Sequence, residues 1–427
     1  MTLTPSGYRP RLIDSTVSDS LRSAGAVNIE GPKSCGKTWC ARNAANSEFS
    51  LVDPKDNFLN LRIAREDPSV ALEGDEPHLI DEWQDVPKIW DAVRYKVDTE
   101  GTKGRYILCG SSSTDKSVIS HSGAARIIDV RMHTMSLYES NDSDGKVSLK
   151  GLFNGEFSTS KGRSCSLRDI AWLVVRGGWP GLLESDEKSV SIVLKDYINK
   201  VCEVDAQKVD GKKRNVQNLK RAFRSLARNE STLATKSKIA KDIAEFEDEK
   251  IDEETVADYM SIFDRLHLVN DQTAYSPRYR SHVRVGKNPK RHLADPSLAA
   301  AAMGLDSEAL VNDPNTMGFL FESLCERDLR IYSEYIGAEF YHYRDHSDRE
   351  IDAVVELKGS GWGAFEIKVG QSAEEDAAKS LNRIRSFMEN DEDAEPPRFM
   401  CIITGTGGMV YRREDGIYVV PINMLGP

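Results

Sequence analysis

Gly31-Pro32-Lys33-Ser34-Cys35-Gly36-Lys37-Thr38 is the stretch on which the fold turns. It fits G-x-x-x-x-G-K-[ST], the loop that cradles a polyphosphate with backbone N–H groups. Its flanks agree with it. Ala26-Val27-Asn28-Ile29-Glu30 reads as a short buried strand, and the residues from Thr38 to Ala45 read as the start of a helix. Strand, glycine loop and helix N-terminus in that order aim backbone donors at an anion. Gly31, Pro32, Lys33, Ser34, Cys35 and Gly36 would wrap the phosphates. Lys37 would reach the β- and γ-phosphates, and the Thr38 hydroxyl would take a Mg²⁺ position.

A phosphate loop of this kind needs an acid-bearing strand beside it. His78-Leu79-Ile80-Asp81-Glu82 supplies one. Asp81 is expected in the Mg²⁺ shell, and Glu82, one residue on, is expected to polarise the attacking water. Arg105-Tyr106-Ile107-Leu108-Cys109-Gly110 reads as a third buried strand, ending in Ser111-Ser112-Ser113. Ser111 or Ser112 is the candidate sensor of the γ-phosphate. These residues predict an ATPase that uses Mg²⁺.

Composition narrows the class. A chain of 427 residues, 39% hydrophobic and 29% charged, has room for two or three globular domains. It has no run of eighteen apolar residues, so no spanning helix is expected. Met1 to Arg11 lacks the apolar core of a secretory signal. Seven scattered cysteines without C-x-x-C spacing point to reduced thiols in a cytoplasm and away from a zinc site. Net charge is −11, yet Lys208 to Arg228 carries eight basic residues against Asp210 alone, and Arg278 to Arg291 carries six basic residues and no acid. Such local patches are what a phosphate backbone would feel. Glu245 to Glu254 is strongly acidic by contrast.

The order of motifs resembles a group of prokaryotic AAA+ ATPases that carry a C-terminal region of unknown function with a nuclease-like fold. The residues concerned are the phosphate loop, Leu-Ile-Asp-Glu-Trp-Gln at 79–84, Tyr-Ile-Leu-Cys-Gly-Ser-Ser-Ser at 106–113, Met135-Ser136-Leu137-Tyr138-Glu139-Ser140, and Gly177-Gly178-Trp179-Pro180. The resemblance implies a P-loop AAA+ doubly wound parallel sheet with an appended helical region. It also implies an arginine finger, for which Arg126 is preferred over Arg131, and hence a homo-oligomer whose sites are completed by a neighbouring subunit. Cys109-Gly110 departs from the threonine expected before that glycine.

Residues 196–290 read as a winged-helix-like region. A capped helix is expected over Ser231–Ala240 and a second over Ile251–Leu266, whose apolar stripe is Val256, Tyr259, Met260, Phe263 and Leu266. The basic Arg278–Arg291 segment follows as a wing would, and DNA is a possible partner. From 291 to 427 an α/β domain is expected. A hairpin of Arg349–Glu356 with Gly363–Val369 would bring Asp352 beside Glu366 and Lys368. This Asp…Glu-x-Lys set, with Glu322 on the preceding helix, resembles the nuclease superfamily that includes restriction enzymes and Holliday-junction resolvases. In that reading Glu322, Asp352 and Glu366 bind a second Mg²⁺ or Mn²⁺ and Lys368 activates water. Residues 1–195 complete the division as the ATPase domain. The alternative reading is a non-catalytic nucleotide switch whose C-terminal domain binds a protein partner.

Overall fold

The computed structural model describes residues 3–111, 119–244, 251–277, 288–345, 347, 349–391 and 394–427. Ser112, Ser113, most of the Glu245–Glu254 acidic run, and the 278–287 part of the basic segment lie outside them. The chain divides into two compact units. The first gathers Met1–Thr134 with Val201–Arg214 and Met260–Leu268; the second holds Met135–Lys200, Asn215–Tyr259 and Val269–Pro427.

In the first unit the elements run α1 (Ile13–Ser23), β1 (Ala26–Glu30), α2 (Lys37–Ala44), β2 (Ser47–Ser50), α3 (Lys55–Glu66), β3 (His78–Asp81), α4 (Lys88–Glu100), β4 (Tyr106–Gly110) and β5 (Ile127–Arg131). The strands form one parallel sheet in the order β2-β3-β4-β1-β5. Strands β1, β3 and β4 are nearly continuous buried apolar runs, as a parallel sheet covered on both faces requires. Leu79, Ile107, Val27 and Ile29 pack toward α1 and α2, while Ile80, Leu108, Ala26 and Tyr106 pack toward α4 with Trp83 and Trp90. Because every strand is parallel, the loops that leave β1, β3 and β4 emerge at one edge. That is where chemistry collects in such sheets.

The second unit opens with β6 (Val147–Ser148), α5 (Leu149–Asn154), β7 (Ser160–Cys165), α6 (Leu167–Arg176) and α7 (Glu187–Lys200). A capping box between Ser166 and Asp169 starts α6. Helices α8 (Val216–Arg228), α9 (Lys236–Ala244) and α10 (Glu253–Arg265) follow, the part of α10 from Met260 on belonging to the first unit. Helix α9 begins five residues later than the sequence led us to expect. Thr232 is taken into an antiparallel bridge with Arg291, Ser231 has a left-handed φ of 57°, and Thr235 accepts from the Lys238 N–H at 3.3 Å. The stripe expected on α10 is buried at Val256, Tyr259, Phe263 and Leu266, with Ile262 added and Met260 half-buried. Antiparallel bridges Val269–Leu293 and Gln272–Lys290 come next.

Helices α11 (Pro296–Met303), α12 (Ser307–Asn312) and α13 (Pro314–Ile336) lead to β8 (Glu339–Arg344), β9 (Glu350–Leu357), β10 (Gly361–Lys368), α14 (Glu374–Glu389), β11 (Phe399–Thr404), β12 (Gly407–Arg412), β13 (Tyr418–Pro421) and β14 (Leu425–Gly426). Seven strands form a mixed sheet in the order β7-β12-β13-β11-β10-β9-β8. The hairpin forms as expected, with Phe365 opposite Ala353. The Met135–Ser140 and Gly177–Pro180 motifs both lie in this unit. The Met135 N–H donates to the Gly178 carbonyl at 2.7 Å, and a Cβ on Gly178 would lie 2.0 Å from the Met135 oxygen. Asp295 accepts from the Gly178 N–H at 3.0 Å and pairs with buried Arg327 at 3.1 Å, while Asp328 accepts from the Leu137 N–H at 2.9 Å. These motifs are therefore packing joints.

Candidate functional site

The phosphate loop is shaped by close approach. A Cβ on Gly31 would sit 2.2 Å from the Met132 carbonyl oxygen, so only glycine allows the loop to pass there. Gly36 takes φ 108° as the cap residue of α2, and Ser34 takes φ 66°. Lys37 is buried, and its Nζ donates to the Gly31 and Pro32 carbonyls at 2.9 and 2.8 Å. The ammonium is thus held against the loop itself. Arg11 braces the same loop from α1's approach, donating to the Cys35 and His133 carbonyls at 3.0 Å each. Cys35 is fully buried, with its Sγ 3.8 Å from the Met132 oxygen. Lys33 reaches outward to an ion pair with Asp205 at 2.6 Å.

The acid strand lies alongside. The Thr38 hydroxyl donates to Asp81 Oδ1 at 3.2 Å. Burial, then the neighbouring Glu82 charge, pushes the Asp81 carboxyl above its ordinary range. A divalent cation between Thr38 and Asp81 would reverse that shift, and two hard oxygen donors side by side suit Mg²⁺. Glu82 leaves the strand with a left-handed φ of 56°, and its Oε2 accepts from Ser111 Oγ at 3.2 Å and from Gln84 Nε2. Asn28 in mid-β1 locks the floor: it donates to Glu30 at 3.0 Å and Asp129 at 2.9 Å, and accepts from Trp83 Nε1 at 3.0 Å.

The two candidate arginines lie at opposite ends of β5. The β1–β5 register sets Ala26 opposite Ile127 and Glu30 opposite Arg131, so Arg131 is at the loop end of the sheet. Arg126 precedes the other end, roughly 16 Å from Arg131 along the strand. It is half-exposed and pairs with Asp98 at 2.6 Å. Sequence reasoning missed Arg11, Asn28, Gln84, Asp205 and His267. Gln84 stood inside a quoted motif without a role. Asp205 and His267 had no local signal, being far from the loop in sequence. His267 lies 3.9 Å from Glu30, and burial, followed by the charges of Arg131, Lys37 and His133, pulls its imidazole down to about 3.

The C-terminal acids are paired with lysines. Among the described residues no group of three or more His, Cys, Asp or Glu side chains is spaced to hold a metal ion. Asp352 accepts from the Ile367 N–H at 2.8 Å and from Lys368 Nζ at 3.3 Å; Glu366 meets Lys368 at 2.9 Å and Ser380 Oγ at 3.0 Å. Glu322 is met by Lys290, whose Nζ lies 2.6 Å from it, 3.5 Å from Glu326, 3.9 Å from Glu350 and 3.3 Å from the Asp352 carbonyl oxygen. Burial, then Asp352, pushes Glu366 up to about 8, and burial raises Glu322 well above the carboxylate range. Burial opposes the charge of Lys368, yet Asp352 and Glu366 together hold it above its ordinary value. The expected metal grouping of Glu322, Asp352 and Glu366 is therefore not assembled; two ammonium groups already supply the countercharge. Lys290 and Arg291, read from sequence as the end of an exposed wing, are buried, and Arg291 pairs with Asp271.

Three family models match parts of the chain. Residues 23–141 match the family model of an AAA domain; residues 167–309 and 317–425 match two domains of unknown function, DUF8612 and DUF4143. An uncharacterized protein of Mycobacterium bovis and one of Mycobacterium tuberculosis are each 25% identical over 355 residues, covering 82% of this chain and 71% of theirs. Among solved structures, the Walker-type ATPase PABY2304 of Pyrococcus abyssi is 13% identical with a TM-score of 0.44, over 71% of this chain and 98% of its own. The replication initiator DnaA bound to AMPPCP and single-stranded DNA gives 13% and 0.29, over 60% and 89%. The AAA-domain match, the loop and the parallel sheet support a P-loop AAA-type ATPase with nucleotide binding as its function. No helix among the described residues is long and apolar enough to cross a membrane.

Proposed function

We propose that the protein binds ATP with Mg²⁺ and hydrolyses it. The observation that carries this is the convergence of Lys37, Thr38, Asp81, Glu82 and Ser111 at one edge of the first sheet. The loop N–H groups and Lys37 would take the phosphates, with Lys37 exchanging its two carbonyl partners for phosphate oxygens. Mg²⁺, when bound, would draw charge off the β- and γ-oxygens. Thr38 and Asp81 would hold that ion, Glu82 would polarise water, and Ser111 would sense the γ-phosphate. Arg126 is our candidate finger, acting in a neighbouring subunit of a homo-oligomer in the cytoplasm. Its exposure and its distance from its own loop support a role in trans.

We keep 1–195, 196–290 and 291–427 as the functional division, with the middle part acting near nucleic acid. The helix order α8, α9, α10 followed by antiparallel bridges supports a winged-helix reading. Exposed Arg224, Arg228, Lys236 and Lys241 give α8 and α9 the charge for a phosphate backbone. The order α13-β8-β9-β10-α14-β11 supports a nuclease-like domain at the C-terminus. Its lysine-paired acids favour a domain that binds a partner without cutting. Turnover of ATP with and without DNA tests the proposal. Loss of activity in Lys37→Ala and Glu82→Gln, with stimulation by DNA, is expected; turnover indifferent to DNA would favour the switch reading. Cleavage of branched or supercoiled DNA with Mn²⁺, abolished by Asp352→Ala, would overturn the inert C-terminal domain.

A further inference from the structure

Lys33 stands inside the phosphate loop, yet its ammonium is paired with a carboxylate from far along the chain. Its Nζ lies 2.6 Å from Asp205 Oδ1. Asp205 ends a π-helical turn, Val201–Asp205, and the short helix Ala206–Lys208 follows it directly. A π turn is rare and gathers at functional sites. The two partners are unequally exposed: the Lys33 side chain keeps 44% of its surface open and the Asp205 side chain 11%. Asp85, in the turn after the acid strand, meets the same charges. Burial, then Glu82, pushes its carboxyl up, against the pull of Lys208, Arg65 and Lys33. The segment Val201–Arg214, part of the first unit, therefore brings both Asp205 and Lys208 to the rim of the loop. Other ties of the segment are local or single: Arg214 pairs with Asp210 inside it, and Arg265 donates to the Val209 carbonyl at 2.9 Å.

We propose that the Lys33–Asp205 pair is a clasp that nucleotide opens: a bound triphosphate draws Lys33 off Asp205 and loosens the Val201–Arg214 segment. The inference rests on the loop binding a nucleotide. The N–H groups that receive phosphates belong to the same loop that carries Lys33. Its long, flexible stem can therefore turn the ammonium from carboxylate to phosphate by side-chain rotation, with the loop backbone unmoved. A triphosphate offers several negative charges against the single charge of Asp205. An ion pair with one half-exposed partner is worth little, so the exchange favours phosphate. It leaves behind a mostly buried carboxylate that has lost that ammonium. Such a group is costly where it stands, so the loss of one pair becomes a pull on the whole segment. The segment also carries Lys208, Lys212 and Lys213, the start of the basic run, so the clasp ties that surface to nucleotide occupancy.

Hydrogen exchange of the full chain, with and without AMPPCP and Mg²⁺, tests this, and calorimetry reports binding in the same samples. In the wild type the amides of 201–214 are expected to exchange roughly three- to fivefold faster at saturating AMPPCP, the worth of one half-exposed ion pair. Asp205→Asn and Lys33→Met each open the clasp without nucleotide. Both are expected to show the faster exchange throughout, and AMPPCP should speed it no further. Exchange over 201–214 that stays level or slows in the wild type with AMPPCP bound overturns the clasp. A full nucleotide response that survives in either variant overturns it too, because release would then run through other contacts. Calorimetry keeps the two inferences apart. If the wild type does not bind AMPPCP, the reading of the loop fails and the clasp with it; binding without faster exchange sinks the clasp alone.

Discussion

Lys290→Met would remove a single charge while keeping the length of a side chain that is 1% exposed. Nζ lies 2.6 Å from Glu322, 3.5 Å from Glu326 and 3.3 Å from the Asp352 carbonyl oxygen. At an effective dielectric of about 20 the nearest pair alone is worth roughly 6 kcal/mol of attraction. Desolvation of the two ions offsets several kcal/mol of this, and loss of one partner from a buried pair costs about 3–5 kcal/mol. The cost should depend on pH, and the sign follows from the carboxylates. Burial holds Glu322 above its unfolded value and Glu326 at about 8 even with the lysine present. Without it, Glu322 would rise further and take up a proton on folding. A raised carboxylate makes stability full below the unfolded value near 4.5 and drains it as pH rises toward the folded value. Wild type and variant therefore both gain stability as pH falls from 8 to 6, and the penalty of Lys290→Met should shrink only by the further rise of these carboxylates once the lysine is gone. Adding Glu322→Gln should recover about 2 kcal/mol or more at pH 8. Urea unfolding gives the size, and hydrogen exchange over Pro314–Ile336 locates it in α13. A penalty under about 1 kcal/mol at pH 8 would refute the charge argument.

Three further outcomes are expected. His267→Gln should flatten the acid limb of stability: an imidazole held at about 3 contributes stability that is complete above about 6.5 and lost as pH falls toward 3. The wild type should lose about 2 kcal/mol more than the variant between pH 7 and pH 5, read as paired denaturant curves; parallel curves would count against it. Gly178→Ala should cost about 2–4 kcal/mol, because the Met135 carbonyl 2.0 Å away is backbone and cannot swing aside. Gly181→Ala, with nothing within 4 Å, should change the melting point little, and equal effects would sink the packing account. Arg126→Ala should change stability by less than about 0.5 kcal/mol, since its pair with Asp98 is exposed, yet abolish ATP turnover. Mixing it with Glu82→Gln subunits should restore part of that turnover, and no restoration would exclude a role in trans.

The nucleotide edge was legible because its signals are local. Eight consecutive residues define the loop, and the two acid and sensor strands announce themselves as short apolar runs ending in polar groups. Parallel pairing then brings those ends together. Strand β9 and strand β10 were legible for the same reason, since alternation at Phe365, Ile367 and Val369 fixes which side Glu366 and Lys368 share. Lys290 was not. In sequence it is one of six basic residues in a polar stretch, which reads as solvent-exposed. Its partners Glu322 and Glu326 come 32 and 36 residues later, and only the Gln272–Lys290 bridge turns its side chain inward. Asp205 and His267 were hidden in the same way, because nothing near them names the loop they approach.

The Glu322, Asp352 and Glu366 reading shows where residue type stops deciding function. Carboxylates near one another can be a metal shell or a salt-bridge core, and the choice depends on what countercharge the fold already provides. Here Lys368 spans Asp352 and Glu366, and Lys290 sits on Glu322. Lys368 belongs to the expected constellation and is part-exposed, so it could move aside. Lys290 is buried and bonded to a backbone oxygen as well, so freeing Glu322 would take the nearest countercharge from a buried ammonium group and leave it Glu326 at 3.5 Å. That asymmetry puts Lys290, and not the three acids, at the centre of the proposal that this domain binds without cutting.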